Sequence, residues 1–473
     1  MTRTAQLGFA ALGMLALVAC HPSQILDVDN PDIIDPTAVT TPQGLAALFA
    51  GALGDFSLAV VGDNGGTEGQ ILVSGSFTDE LSNVETFPTR KEFDQRGPID
   101  IKNGTLLTVF RNLHRARRSA ERAAEVIKTV SATPASDTRI AEAYDLAGMI
   151  YLYMAENYCS GVPVSTADET GTLTFGDPLT TTDMLNRAIS RFDSALAYPA
   201  SLTVSSFAKI GKGRALLDLN TPAAAAAAVN GVATTFSYNT THTLSLGRQQ
   251  NGVFVFMNQS ERFGVANLDG GNGLNFRTAQ DPRVPWARVP ATNVGFDNAT
   301  PDYYEGKYAS ETASLAIANG VEARLIEAEA ALRAGDNGTW LNTLNTLRST
   351  AGLTPSSFPS NFPSAATMAA NFPPLGQLAD PGSQAAREDL MFRERAFWLY
   401  LSGHRLGDLR RLVRQYGRSA NDAATGVFPG RGGAQYVIDG NPKGGVFGTE
   451  VNLPVPFDET NNPKFTQCID RNP

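Results

Sequence analysis

The sequence predicts an all-α protein in which tetratricopeptide-like helix pairs form a scaffold for long, loop-rich insertions. Apolar residues recur every three to four positions over several long segments, and short turns join neighbouring segments into pairs. The segments between the pairs are long and rich in Gly, Asn, Pro and aromatic residues. Loops of such length are usually functional or disordered, and their aromatic content favours ordered loops.

The first twenty residues have the pattern of a bacterial lipoprotein signal. Arg3 provides a basic start, Phe9–Val18 is apolar, and the segment closes on the letters LVAC. The apolar run is shorter than the roughly 20 residues that span a bilayer, and it fits the core of a secretory signal. We therefore predict a signal peptide over residues 1–19, lipidation of Cys20 and a lipidated linker over 20–40. An ordinary signal peptide with an incidental cysteine is the alternative.

Composition argues against several classes of function. The chain has 38 Lys and Arg against 47 Asp and Glu, a net charge of −9, which argues against a nucleic-acid partner. Its four histidines are not spaced with a cysteine as metal ligands are, so we predict no metal site. We also predict no cofactor. Disulfides persist outside the cytoplasm, so we predict a bond between Cys159 and Cys468. Two buried, unpaired thiols are the alternative.

The first predicted helix has Thr41 as its N-cap and Pro42 as its first residue, and it ends near Val61. The domain is expected to cover 41–473. Helix pairs are predicted near 102–158, 182–233, 319–350 and 384–417.

One of these pairs carries the clearest repeat pattern. In the segment 182–199, Ala188, Phe192 and Ala195 have the spacing of a second tetratricopeptide helix, and Gly148 is a small contact residue in its partner. Generic amphipathic helices are the alternative.

No catalytic motif is evident. The chain has no G-x-S-x-G, no H-E-x-x-H and no complete Walker or dinucleotide loop. Gly211-Lys212-Gly213 lies within a predicted helix, where we interpret it as a packing feature. These absences favour a binding protein, although paired carboxylates of a glycoside hydrolase follow no spacing rule in sequence.

Several segments together resemble the SusD/RagB family of outer-membrane nutrient-binding lipoproteins. They are ILDVDNPDIIDPTAVTTPQGLAALFAGAL after the signal, FRNLHRARRSAERAAEVI at 110–127, RLIEAEAALRAGD at 324–336, FRERAFWLYLSGHRLGDLRRL at 392–412 and LPVPFDETNNPKF at 453–465. The resemblance implies a single α-helical domain on the outer membrane, facing the cell exterior, without enzymatic activity. It also implies a glycan or peptide ligand and a SusC-like TonB-dependent transporter as partner.

The charged residues of 392–412 are expected to hold helices together rather than to bind ligand. They are Arg393, Glu394, His404, Asp408 and Arg410.

A glycan site needs exposed aromatic rings beside polar groups, because sugar rings present apolar C–H faces and hydroxyl edges. Two loops, 77–93 and 276–308, match this description, and the family places its site on similarly located loops. The predicted ligand-binding residues are Asp79, Asn83, Phe87, Arg90, Trp286, Tyr303 and Tyr304. Tyr303 and Tyr304 are favoured because adjacent residues of an extended segment cannot easily both be buried. For each residue, the alternative is that it pins its loop to the scaffold, and Arg283 is expected to do so.

The predicted function is therefore to bind an oligomeric nutrient and to deliver it to a transporter. A glycan is the favoured ligand. A lipid-anchored helical scaffold that binds a protein is the first alternative. A glycoside hydrolase is the second.

Overall fold

Helices dominate the structure, a computed structural model that describes residues 41–168, 172–198, 201–349, 355, 357–431 and 433–473. The predicted signal peptide, Cys20 and the linker lie outside these residues. In chain order the helices are α1 Pro42–Val61, α2 Gln70–Ser76, α3 Pro88–Asp94, α4 Gly104–Val130, α5 Thr138–Asn157, α6 Thr181–Leu196, α7 Leu202–Asp218, α8 Pro222–Ala228, α9 Gly252–Phe254, α10 Gly320–Arg333, α11 Asn337–Arg348, α12 Ala365–Asn371, α13 Gln384–Trp398 and α14 Arg405–Tyr416.

The strands are short and clamp loops together. In chain order they are β1 Leu81–Asn83, β2 Val162–Pro163, β3 Thr166–Ala167, β4 Leu173–Thr174, β5 Pro178–Leu179, β6 Ser237–Thr240, β7 Phe263–Val265, β8 Trp286–Ala287, β9 Tyr304–Glu305, β10 Leu315–Asn319, β11 Gln435–Ile438 and β12 Asn441–Val446. They form antiparallel pairs β1–β7, β2–β5, β3–β4, β6–β10, β8–β9 and β11–β12. No larger sheet occurs in the described part of the chain, and the predicted all-α class is confirmed.

Helix α1 begins and ends where the sequence predicts. The Thr41 hydroxyl accepts a hydrogen bond from the Gly44 N–H at 3.0 Å, and Pro42 is the first helical residue. By length and composition α1 could cross a membrane. Its side chains Leu45 and Leu48, however, pack against α4 in an apolar cluster, so it serves as a core helix.

Helices α5, α6 and α7 form the predicted tetratricopeptide-like packing. The ring of Phe192 on α6 lies between Gly148 of α5 and Gly211 of α7. A Cβ atom would lie 2.8 Å from this ring at Gly148 and 2.2 Å from it at Gly211. Only glycine permits so close an approach at these two positions. The Gly211-Lys212-Gly213 segment is therefore a packing feature, as predicted.

The pair predicted near 384–417 consists of α13 and α14, but the two helices have different main packing partners. Helix α13 lies against α10, whereas α14 lies against α5 and α2. The link between them turns sharply through Leu401 and Gly403, which both have positive φ. The tetratricopeptide pattern therefore does not extend to side-by-side packing here.

Buried charged groups of 392–412 connect α13 and α14 to the scaffold. The Arg395 Nε donates to Asp408 at 2.9 Å. The Arg410 Nη1 donates to the carbonyl oxygens of Ala155, Glu156 and Tyr158 at the end of α5.

Other members of this group tie the segment to neighbouring elements. Glu394 accepts from Arg283 and Arg348, and the His404 imidazole contacts Arg214. Arg393 donates to Asn275 at 2.9 Å. The prediction that the charged residues of 392–412 hold helices together is confirmed.

A disulfide bond joins Cys159, just after α5, to Cys468. Their Cα atoms are 6.0 Å apart, and 309 residues separate them in sequence. Backbone bridges pair Tyr158 with Leu453 and Ser160 with Asp470 beside the bond. The segment 453–470 is thus held against the N-terminal half of the scaffold.

The packing of Phe192 can be tested with a matched pair of helix glycines. We expect Gly211→Ala to lower the free energy of unfolding by about 1–3 kcal/mol, because the new methyl group overlaps the Phe192 ring. Gly51→Ala, in α1 with open space around it, should instead stabilise by up to about 1 kcal/mol. Urea denaturation of both variants measures this. Equal effects at the two positions, or an equal cost of Gly211→Ala in a Phe192→Leu background, would contradict the packing.

Candidate functional site

Asp79, predicted on the first ligand loop, is buried and ion-paired. It is 1% exposed, and its two carboxylate oxygens accept from Arg405 Nε and Nη2 at 2.7 and 2.9 Å. It also accepts from the Leu274 N–H at 2.7 Å. Burial alone would raise the pKa of Asp79, but Arg405 outweighs it and holds the pKa below its usual value. The expectation that Asp79 faces solvent is wrong, and the residue anchors the base of the 276–308 loop.

Of the other predicted ligand-binding residues of the first loop, two are buried and one is exposed. Asn83 is fully buried in β1. Arg90 is buried between Glu68 and Glu85. Phe87 is 47% exposed. The expectation of a solvent-facing side chain therefore fails for Asn83, which lies in a buried strand, and for Arg90, whose guanidinium pairs with two carboxylates.

Phe87 belongs to a small exposed aromatic surface. The Arg262 guanidinium carbon lies 5.4 Å from the Phe87 ring centre and 3.3 Å from that of Phe296, which is 46% exposed. We call Phe87, Arg262 and Phe296 the phenyl patch. The sequence reasoning missed Phe296 and Arg262, which no local motif distinguishes.

On the second loop, Trp286 and Tyr303 are partly exposed and lie together. The Trp286 Nε1–H donates to the Arg277 carbonyl at 3.0 Å, which fixes the indole plane. Its ring meets those of Tyr303 and Phe372 edge-on, with centroids 5.4 and 6.2 Å away. Three aromatic rings from two loops therefore meet at one place.

The two adjacent tyrosines point in opposite directions, as an extended segment requires. Tyr304 is 5% exposed, and its hydroxyl donates to Glu261 at 2.5 Å. Its predicted exposure is wrong, and Tyr303 is the partly exposed member of the pair. Arg283 is buried against Asp281 and Glu394, which confirms its expected structural role.

A cavity of about 350 Å³ opens beside Trp286, and we call it the aromatic pocket. Its lining residues are Gln280, Trp286, Ala287, Arg288, Val289, Pro363, Met368, Asn371 and Phe372. Strand β8 supplies one wall, and α12 with the residues around it supplies the other. The second wall was not predicted, because nothing in the sequence shows that the segment before α13 folds back onto β8.

Polar groups of the aromatic pocket come from Arg288, Gln280 and Asn371. The Arg288 Nε donates to the Asn293 carbonyl at 2.8 Å, and its guanidinium carbon lies 5.6 Å from the Tyr303 ring centre. Gln280 and Asn371 are exposed. The pocket thus combines a fixed indole with amide and guanidinium groups at its rim.

Two other cavities have a different character. One, of about 370 Å³, lies among Pro454–Phe457 and Phe465 in the C-terminal segment. The other, of about 380 Å³, lies between α1 and β6, beside Tyr238 and Arg248. Neither has a tryptophan in its lining. Across the described ranges, no cluster of His, Cys, Asp or Glu could hold a metal ion.

Comparisons with known proteins agree on one relationship. Residues 322–471 match the model of the SusD family. A SusD superfamily structure from Parabacteroides distasonis ATCC 8503 has a TM-score of 0.62 at 13% identity, over 90% of this chain and 98% of that one. One from Bacteroides thetaiotaomicron VPI-5482 has a TM-score of 0.60 at 14% identity, over 90% and 100%.

A laminarin-binding SusD-like protein is also similar in fold. It has a TM-score of 0.61 at 13% identity, over 91% of this chain and 99% of that one. At such identities the likeness to solved structures shows the fold. A comparison with curated protein sequences gives no match.

The helix pairs and inserted loops define the class: a tetratricopeptide-like helical scaffold that carries its exposed aromatic residues on loops. The family match covers most of α10, then α11 to α14 and the C-terminal segment. Over residues 322–471 the chain matches the SusD family, and its fold is that of solved SusD superfamily proteins.

The buried ion pair of Asp79 gives a direct test of its role. We expect Asp79→Asn to lower the free energy of unfolding by about 3–5 kcal/mol, because it removes the charge partner of buried Arg405. Asp458→Asn breaks the more exposed pair with Arg111 and should cost at most about 1 kcal/mol. Denaturation with urea compares the two. If Asp79→Asn kept full stability, the structural role would be refuted.

Proposed function

We propose that this protein is a non-enzymatic surface lipoprotein that binds an oligosaccharide in the aromatic pocket. The observation that supports this most is the partly exposed Trp286 ring, fixed by its hydrogen bond to Arg277 and set beside Tyr303. A fixed indole offers the apolar face on which a sugar ring stacks. The laminarin-binding structural neighbour supports a carbohydrate as the class of ligand.

The pocket has the size and lining that a small saccharide segment needs. Its volume of about 350 Å³ lies in the range of small-molecule sites. Gln280, Arg288 and Asn371 supply donors and acceptors for hydroxyl groups. The described residues that line the pocket include no Asp or Glu, whereas glycoside hydrolysis normally uses two carboxyl groups across the bond. This lining favours binding over hydrolysis.

Anchoring and transport complete the proposal. Lipidation of Cys20 would attach the protein to the outer membrane, and more than one acyl chain makes such attachment stable. The resemblance of the mature chain to SusD/RagB lipoproteins supports a SusC-like TonB-dependent transporter as the partner that receives the ligand. The phenyl patch and the predicted ligand residue Phe87 stay a second candidate contact for a longer ligand.

Replacing the indole tests the pocket. We expect Trp286→Ala to weaken oligosaccharide binding about tenfold or more, because it removes the main stacking surface. Phe457→Ala, an exposed aromatic in the C-terminal segment, should leave binding unchanged. A glycan array on the purified full chain selects the saccharide, and calorimetry measures both variants. Binding lost in Phe87→Ala but kept in Trp286→Ala would move the site to the phenyl patch, and no saccharide bound by the native chain would refute the proposal.

Removing the lipidated thiol tests the anchor. In cells fed a labelled fatty acid, the native chain should carry label and fractionate with the outer membrane, whereas Cys20→Ala should lose both. Cys468→Ala also loses a cysteine, and it should keep the label. Equal labelling of the native chain and Cys20→Ala would show that the acyl group is not on this thiol.

A further inference from the structure

The charge of the aromatic pocket narrows the class of ligand. Of the described residues that line it, Arg288 is the one charged side chain, and the others are apolar or carry neutral amides. The described lining of the pocket therefore presents one positive charge and no negative charge to a ligand. On this basis, and resting on the function proposed above, we propose that the ligand is an acidic oligosaccharide whose carboxylate pairs with Arg288.

Arg288 is available for such a pair. Its Nε–H donates a hydrogen bond to the Asn293 carbonyl. Within the described ranges, its two terminal nitrogens have no ion-pair or hydrogen-bond partner in the chain. A guanidinium with two free N–H groups on one edge matches the two oxygens of a carboxylate, and charge-assisted bonds of this kind are among the stronger hydrogen bonds.

Neighbouring arginines are already neutralised, which distinguishes Arg288 from them. Arg277, whose carbonyl holds Trp286, pairs with Asp439. Arg283 pairs with Asp281 and Glu394. These side chains have roles in the fold, whereas Arg288 forms no ion pair with the residues that the structure describes.

One buried acidic group, Asp302, interacts electrostatically with Arg288. Burial, followed by the charge of Glu261, raises the pKa of Asp302 to about 8. Asp302 is therefore mainly protonated at neutral pH and does not cancel the charge of Arg288. A carboxylate from outside would meet an uncompensated cation.

Arg288 lies close to the Trp286 ring in sequence and in the pocket. Trp286 lies in β8, and Arg288 follows directly after this two-residue strand. Both line the aromatic pocket. A sugar ring stacked on Trp286 thus brings its own carboxylate substituent within reach of the guanidinium.

The test compares acidic oligosaccharides with the same backbones after their carboxyl groups have been reduced to alcohols. Galacturonan and alginate oligomers are titrated into the full chain by calorimetry at low and high salt. The acidic forms should bind about tenfold or more tightly than the reduced forms. This preference should shrink as salt is raised.

Two matched variants assign the preference to Arg288. Arg288→Met should reduce the affinity for the acidic oligomers to that for the reduced forms, while binding of the reduced forms stays within about twofold. Arg187→Met removes an exposed arginine of α6 outside the pocket and should change neither.

The remaining outcomes separate this inference from the function on which it rests. If the native chain binds laminarin or the reduced oligomers as tightly as the acidic ones, the carboxylate assignment is overturned and glycan binding stands. If no saccharide binds, both proposals fail. If oligoglutamate competes equally with the acidic sugars, the pocket binds a carboxylate of a peptide. The saccharide assignment is then wrong.

Discussion

The structure depends on pairing the buried guanidinium groups that the segment 392–412 carries into the interior. An unpaired charge there would cost several kcal/mol, so each arginine fixes the position of its partner. Arg395 fixes Asp408, Arg405 fixes Asp79, and Arg410 takes up the free carbonyl groups at the end of α5. One short segment of sequence thereby positions α5, α14 and the base of the 276–308 loop.

This pairing explains why the aromatic pocket can lie on loops and still be well defined. Asp79 binds both Arg405 and the Leu274 N–H, so the 276–308 loop starts from a fixed point. Trp286 is then held by the Arg277 carbonyl, and Arg277 by Asp439. The indole orientation is therefore set by a chain of contacts that leads back to the scaffold, and little ordering remains for a ligand to impose.

Local sequence patterns predict the helices, but they do not predict which residues come together at the aromatic pocket. Helix α1 could be predicted from Thr41, Pro42 and apolar spacing, since caps and periodicity act over a few residues. The burial of Asp79 could not be predicted, because its ion-pair partner Arg405 lies 326 residues away in sequence. Phe372 was missed for the same reason: it meets Trp286 only once the segment before α13 has folded back. Alternation in an extended segment exposes only one of two adjacent side chains, so the prediction that both Tyr303 and Tyr304 bind ligand is wrong for Tyr304.

The bond between Cys159 and Cys468 closes a covalent ring that contains Trp286, Arg288, Tyr303 and Phe372. A single protease cut in any loop within that ring opens the circle without releasing a fragment. Both pieces stay tethered, and the packed helices keep them in register. The aromatic pocket can thus survive a cleavage that would detach half of a linear chain, whereas Asp79 and Phe87 lie outside the ring and have no such protection.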